Sequence, residues 1–113
     1  ARHREIDNIA NAAAFMESNY MNDISISSLL DVSHYSQRHF IRLFSEIYNT
    51  TPQKYLLGIR INQACRLLRE TRLPVTDISS QCGFNDPNYF SRAFKKATGR
   101  SPLSFRAASR SGM

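Results

Sequence analysis

The sequence predicts an all-α fold of seven helices, in which two copies of one supersecondary unit are joined by a long linker helix. Three observations predict it. No window alternates β-branched and polar residues at period two, and only four of 113 residues are Gly. Apolar residues recur instead at three- and four-residue steps, the spacing of a helix with one buried face. The second half of the chain also repeats the first. Leu29, Tyr35, Phe40, Arg42, Phe44, Thr51, Pro52 and Tyr55 return as Ile78, Phe84, Phe90, Arg92, Phe94, Ser101, Pro102 and Phe105. The offset is 49 for the first two pairs and 50 for the rest, so one residue is inserted in the second turn.

The elements follow in order. Residues 5–20 carry Ile6, Ile9, Ala10, Ala13, Met16 and Tyr20 on one stripe, a first amphipathic helix closed by "MND". A short helix is expected at 26–32, then a turn, then a longer helix at 36–48. "NTTPQKY" opens the linker: Thr51 can cap, and Pro52 suits a first helical position where its missing N–H is no loss. The linker's apolar side is Tyr55, Leu56, Ile59, Ala64, Leu67 and Leu68, and Pro74 ends the segment by disfavouring helical geometry at Leu73. A short helix at 75–81, the turn "CGFND", a longer helix at 87–98 and a stub after Ser101-Pro102 complete the chain. The tail "ASRSGM" is expected to fray. Asn49 recurs as Gly99, and both tolerate the left-handed conformation that ends a helix. The expected division is a first subdomain at 5–50, a linker at 52–71 and a second subdomain at 74–107.

Charge is distributed unevenly. The net charge is +6, but residues 1–50 hold four basic residues against six acidic ones, and residues 51–113 hold eleven against three. Twelve of the fifteen cations are Arg, whose planar fork suits phosphate and guanine. Such a balance points to a polyanionic partner. No apolar run is long enough to span a bilayer, no export signal opens the chain, and a cytoplasmic location is expected. The first residue is Ala rather than Met, which suggests a fragment or processed product. Cys65 and Cys82 form no metal-binding motif with each other or with a His, so two reduced cysteines are expected, ahead of zinc or a disulfide. No carboxylate pair, Ser/His arrangement or Cys/His cluster has catalytic spacing, so an enzyme is not expected, nor any cofactor or metal.

A short and a longer helix joined by a tight turn form a helix-turn-helix, whose second helix enters the DNA major groove. In residues 36–48, Phe40, Leu43, Phe44 and Ile47 share an inward face, while Gln37, Arg38, Ile41, Arg42 and Ser45 face out. In the second copy Phe90, Ala93, Phe94 and Ala97 are expected inward, and Asn88, Ser91, Arg92 and Lys95 outward. Arg pairs with guanine, Asn with adenine, and an apolar side chain can meet the thymine methyl, which gives Ile41 a use among polar neighbours. The aromatic residues of both copies read as core. His39 and its counterpart Tyr89 flank the outward face within reach of phosphate, and Lys95 and Lys96 fit phosphate better than bases. A linker of residues 52–71 would be roughly 30 Å long at about 1.5 Å per residue. That compares with a spacing of about 34 Å between successive major grooves on one face of DNA. Thr51, at its N-terminus, is a further phosphate candidate.

The stretch "DISSQCGFNDPNYFSRAFKKATGRSPLSFR" resembles the signature of the AraC/XylS family of bacterial transcription regulators, and "ISISSLLDVSHYSQRHFIRLF" is similar more loosely. Together the resemblance runs from about residue 6 to 107. It implies seven helices in two helix-turn-helix subdomains, binding to double-stranded promoter DNA, contact with RNA polymerase and no membrane partner. It places base contacts at Arg38, Ile41 and Arg42 and at Asn88, Ser91 and Arg92, with Asp86 as a helix cap. One departure stands out: His34 occupies the first turn where the family has Gly, so that turn is expected to be altered or strained. Many family members also carry an N-terminal effector or dimerisation domain, so either a stand-alone member or a DNA-binding fragment is expected.

Overall fold

A computed structural model describes residues 2–111. Its elements are α1 (Arg2–Asn19), α2 (Ile26–Ser33), α3 (Gln37–Tyr48), α4 (Pro52–Glu70), α5 (Val75–Gln81), α6 (Pro87–Thr98) and α7 (Pro102–Ser111), with no strand among the described residues. The chain divides into two compact units between Ile59 and Arg60, inside α4.

The first unit closes around Ile9, Ala12, Ala13 and Met16 of α1, Leu29 of α2, and Phe40, Leu43 and Phe44 of α3. Those α1 positions follow the i, i+3, i+4, i+7 rhythm of a single buried stripe. The stripe differs from the expected one at its margins. Ala12 is buried, Ala10 and Tyr20 are only half-buried, and Ile6 is 41% exposed, one turn before the buried cluster begins. Tyr55, Leu56 and Ile59 of α4 pack against this core. Tyr55 meets Phe44 edge to face at 5.4 Å and donates its hydroxyl to Glu17 Oε1 of α1 at 3.1 Å.

The second unit repeats this arrangement. Phe84, Phe90 and Phe94 are buried, with ring centroids at 4.9 Å and 5.6 Å along the chain of three. Phe105 of α7 meets Phe94 edge to face at 5.3 Å, the counterpart of Tyr55 on Phe44. Full burial of one such side chain contributes about 1.5–3 kcal/mol. Ala97 does not face inward as expected but is exposed. Its methyl is too short to cover the margin that Ile47 covers in the first unit.

The linker departs from a single stripe. Ile61, Ala64 and Leu68 are buried on the part of α4 that belongs to the second unit, while Leu67 is only half-buried. One helix serving two cores cannot keep one apolar face along its length, so Ile61 falls outside the expected side. Helix α7 also runs to Ser111, further than the short stub expected after Pro102. Arg106 Nε donates to the Leu68 carbonyl at 3.2 Å, Arg106 Nη2 to the Thr71 carbonyl at 3.4 Å, and Arg110 also donates to Thr71. These guanidinium groups satisfy carbonyls that the end of α4 would otherwise leave open, and they favour the negative end of its dipole. Gly112 and Met113 lie outside the described residues.

Both turns use left-handed residues. His34 has φ 65° and its N–H donates to the Leu30 carbonyl at 2.7 Å; the equivalent Gly83 has φ 92°. Asn85 is the residue inserted between Phe84 and the cap of the next helix. A side chain in this region costs an L-residue roughly 1–2 kcal/mol, although His is among the types that tolerate it better. His34→Gly is therefore expected to stabilise the chain by about 0.5–1 kcal/mol, because relief of the strain outweighs Gly's larger unfolded-state entropy. Urea denaturation measures it; a loss of stability would mean that contacts of the imidazole outweigh the strain.

Candidate nucleic-acid interface

Each long helix of a unit is fixed at both ends by its own sequence. Ser36 Oγ accepts from the His39 N–H at 3.3 Å at the start of α3, and Asp86 Oδ1 accepts from the Asn88 N–H at 2.9 Å at the start of α6. Asn49 and Gly99 end the two helices with φ 59° and 83°, donating to Ser45 and Lys95 carbonyls at 2.9 and 2.8 Å. The following helices are capped alike. Thr51 Oγ1 accepts from Lys54 N–H at 3.2 Å, and Ser101 Oγ from Ser104 N–H at 3.1 Å. Equivalent caps in both copies set the long helices firmly on their units.

With Phe40, Leu43 and Phe44 turned into the core, α3 presents Gln37, Arg38, Ile41 and Arg42, all exposed. At 3.6 residues per turn these four fall within an arc of about 140°. Ile41 is 36% exposed and lines, with Ile26, Gln37, Thr51, Pro52 and Gln53, a hollow of about 200 Å³. A second hollow, of about 450 Å³, is lined by Ser36, Arg38, His39 and Arg42. His39 is braced from behind, edge to face on Tyr35 at 4.7 Å and with Nε2 at 4.0 Å from Glu5 Oε2 of α1. Arg42 Nε lies 4.0 Å from Glu46 Oε1, one turn along the helix.

Helix α6 turns Phe90, Ala93 and Phe94 inward and exposes Asn88, Tyr89, Arg92, Lys95 and Lys96. Ser91 is only half-buried and lies in a hollow of about 480 Å³ with Val75, Ser101, Pro102 and Leu103. That hollow repeats the first unit's, since Ile26, Ile41, Thr51, Pro52 and Gln53 are the counterparts of Val75, Ser91, Ser101, Pro102 and Leu103. Leu103, 68% exposed, stands where the first unit has Gln53. The candidate base-contacting residues therefore share one face in each unit. Ser91, shorter than Ile41, projects least.

The cysteines are not poised for chemistry. Both are free, and burial pushes the Cys82 thiol up to about 11, against the partial opposition of Arg66 and Arg60. A thiol raised in this way is protonated at neutral pH and is a poor nucleophile. Among the described residues, no group of three or more His, Cys, Asp and Glu side chains could hold a metal ion. No helix among them is long and apolar enough to cross a membrane.

Sequence reasoning missed two residues at or behind this face. The i, i+4 spacing from Arg42 was the signal for Glu46. Arg106 carried none, because its carbonyl partners lie 35 and 38 residues away.

Residues 29–108 match the family model described as a helix-turn-helix domain. The chain is 37% identical over 93 residues to the HTH-type transcriptional activator RhaS of Enterobacter sp. (strain 638), which covers 82% of this chain and 34% of that protein. It thus spans about a third of the length of that relative. Among solved structures it is similar to the DNA-binding domain of AdpA, a global transcriptional factor in complex with a target DNA, with TM-score 0.89 and 28% identity over 93% of this chain and 95% of that one. An AraC-type regulator from Chromobacterium violaceum superposes with TM-score 0.85 and 28% identity over 95% and 96% of the two chains.

Proposed function

This chain belongs to the AraC/XylS-type helix-turn-helix family, and from that premise we propose that it is a sequence-specific transcription regulator reading two successive major grooves of promoter DNA. One observation carries the reading. Two repeat-related units each hold a capped helix whose buried aromatic side leaves a polar and basic face exposed. Helices α3 and α6 are the readers. Gln37, Arg38, Ile41 and Arg42 meet base edges in one groove, and Asn88, Ser91 and Arg92 in the next. His39, Thr51, Tyr89, Lys95 and Lys96 meet phosphates. The functional division is a reading subdomain at 5–50, a linker at 52–71 and a second reading subdomain at 74–107. RNA polymerase is the proposed protein partner of the bound chain.

Selecting bound sequences from a random duplex pool tests this. Two preferred blocks about one helical turn apart are expected, with affinity falling steeply as salt rises because each neutralised phosphate releases counterions. A single block would remove one reader, and no enrichment at low salt would remove the function.

A further inference from the structure

We propose that the two readers are unequal: the first unit supplies most of the base discrimination, and the second supplies most of the sequence-independent attraction to phosphate. The inference rests on the DNA-reading function proposed above and concerns how that work is divided. Charge by unit is the first observation. Up to Ile59 the chain holds five basic residues against six acidic ones; from Arg60 onward it holds ten against three. The first unit thus carries a net charge of −1 and the second +7, so the second supplies most of the sequence-independent attraction for a polyanion.

The second observation lies on the reading helices themselves. Glu46 sits one turn from Arg42, with the carboxylate 4.0 Å from Nε. At the equivalent position, 50 residues on, stands Lys96, one turn from Arg92. Among the described residues Arg92 makes no ion pair, and α6 carries Arg92, Lys95 and Lys96 with no acidic residue. A carboxylate on a DNA-facing helix repels phosphate on every sequence. Beside Arg42, in an exposed pair on the Nε side, it favours guanidinium orientations that leave the two terminal nitrogens for a forked bond to guanine. Glu46 is thus a positioning residue that lowers general affinity and sharpens discrimination. Lys96 does the reverse, adding attraction to any duplex. The hollows agree: Ile41 is exposed on the first reader, whereas Ser91 is short and half-buried on the second.

The experiment is a set of fluorescence-anisotropy titrations of the whole chain on the selected duplex and on versions with either block scrambled. The block that loses its preference in Arg42→Ala belongs to the first unit. Scrambling it is expected to weaken binding at least about tenfold more than scrambling the other. Glu46→Gln is expected to raise affinity for fully scrambled DNA several-fold while gaining less on the selected site, so the ratio of the two falls. A helix-stabilising role alone would leave that ratio unchanged. Lys95→Gln with Lys96→Gln should weaken matched and scrambled duplexes equally and reduce the salt slope by about 1.8, at 0.9 per phosphate contact. Equal costs for the two blocks, or an unchanged ratio in Glu46→Gln, would overturn the division of labour while leaving DNA reading intact. Failure to bind any duplex at low salt would overturn both.

Discussion

Phe94→Ala is expected to cost about 3–5 kcal/mol and to unfold the second unit near physiological temperature. Phe94 is fully buried and is the middle ring of a sequence, with Phe90 at 5.6 Å on one side and Phe105 at 5.3 Å on the other. Its removal leaves a cavity and releases α7, whose Phe105 docks on that ring. A chain of this size has a total stability of only about 5–15 kcal/mol. For a domain near 100 residues each kcal/mol shifts Tm by roughly 4–8 °C, so a fall of more than about 12 °C is expected by circular dichroism. Phe94→Leu keeps most of the volume and should lose much less, on the order of 1–1.5 kcal/mol. If Phe94→Ala cost under 1 kcal/mol, the aromatic chain would not be what holds α7 and α6 together.

Arg42→Ala is expected to weaken binding to the selected duplex by about 1–3 kcal/mol and to relax preference at one base pair. Arg42 is exposed on the outward arc of α3, with Glu46 one turn away, and its planar guanidinium carries the paired N–H groups that can meet a guanine edge. Arg42→Lys separates fork from charge. It should keep the salt dependence but lose the base preference, because an ammonium cannot make the paired, planar contact. If affinity instead fell equally on every sequence and the salt slope dropped by about 0.9, Arg42 would be a phosphate contact. In that case the assignment of α3 as a base reader would rest on Gln37, Arg38 and Ile41 alone.

Much of this was legible before any coordinates, for identifiable reasons. The inward positions of α3 and α6 followed from Phe40 and Phe44 recurring as Phe90 and Phe94 at helical spacing, and both pairs are buried. The caps at Thr51, Asn49 and Gly99 were legible locally and the one at Asp86 through the family resemblance, and all four act on groups within four residues of themselves. His34 stands where the second copy has Gly83, which gave the expectation of an altered or strained turn; both residues in fact take a left-handed backbone, with φ 65° and 92°. Elsewhere the outcome turned on a core far away in the chain or on the size of the side chain. Ile61 was assigned no buried role because a single stripe was drawn through α4, and only the second core shows why it is buried. Ala97 has the helical spacing of an inward residue but only a methyl group, and it is exposed where its counterpart Ile47 is half-buried.

The sequence by itself determined the seven helices, the tandem unit and which face of α3 and of α6 is apolar. These depend on periodicity and on contacts within a turn or two, and every residue involved is visible in a short window. Only the tertiary structure decided how far α7 runs, since Arg106 and Arg110 reach back 35 to 39 residues to the end of α4. It also decided that Tyr55 is tied to Glu17 across 38 residues, and that Ile41 stands exposed over one hollow while Ser91 is half-buried in its counterpart. Such contacts depend on which helices meet and at what distance, and no local pattern of apolar and polar residues encodes that.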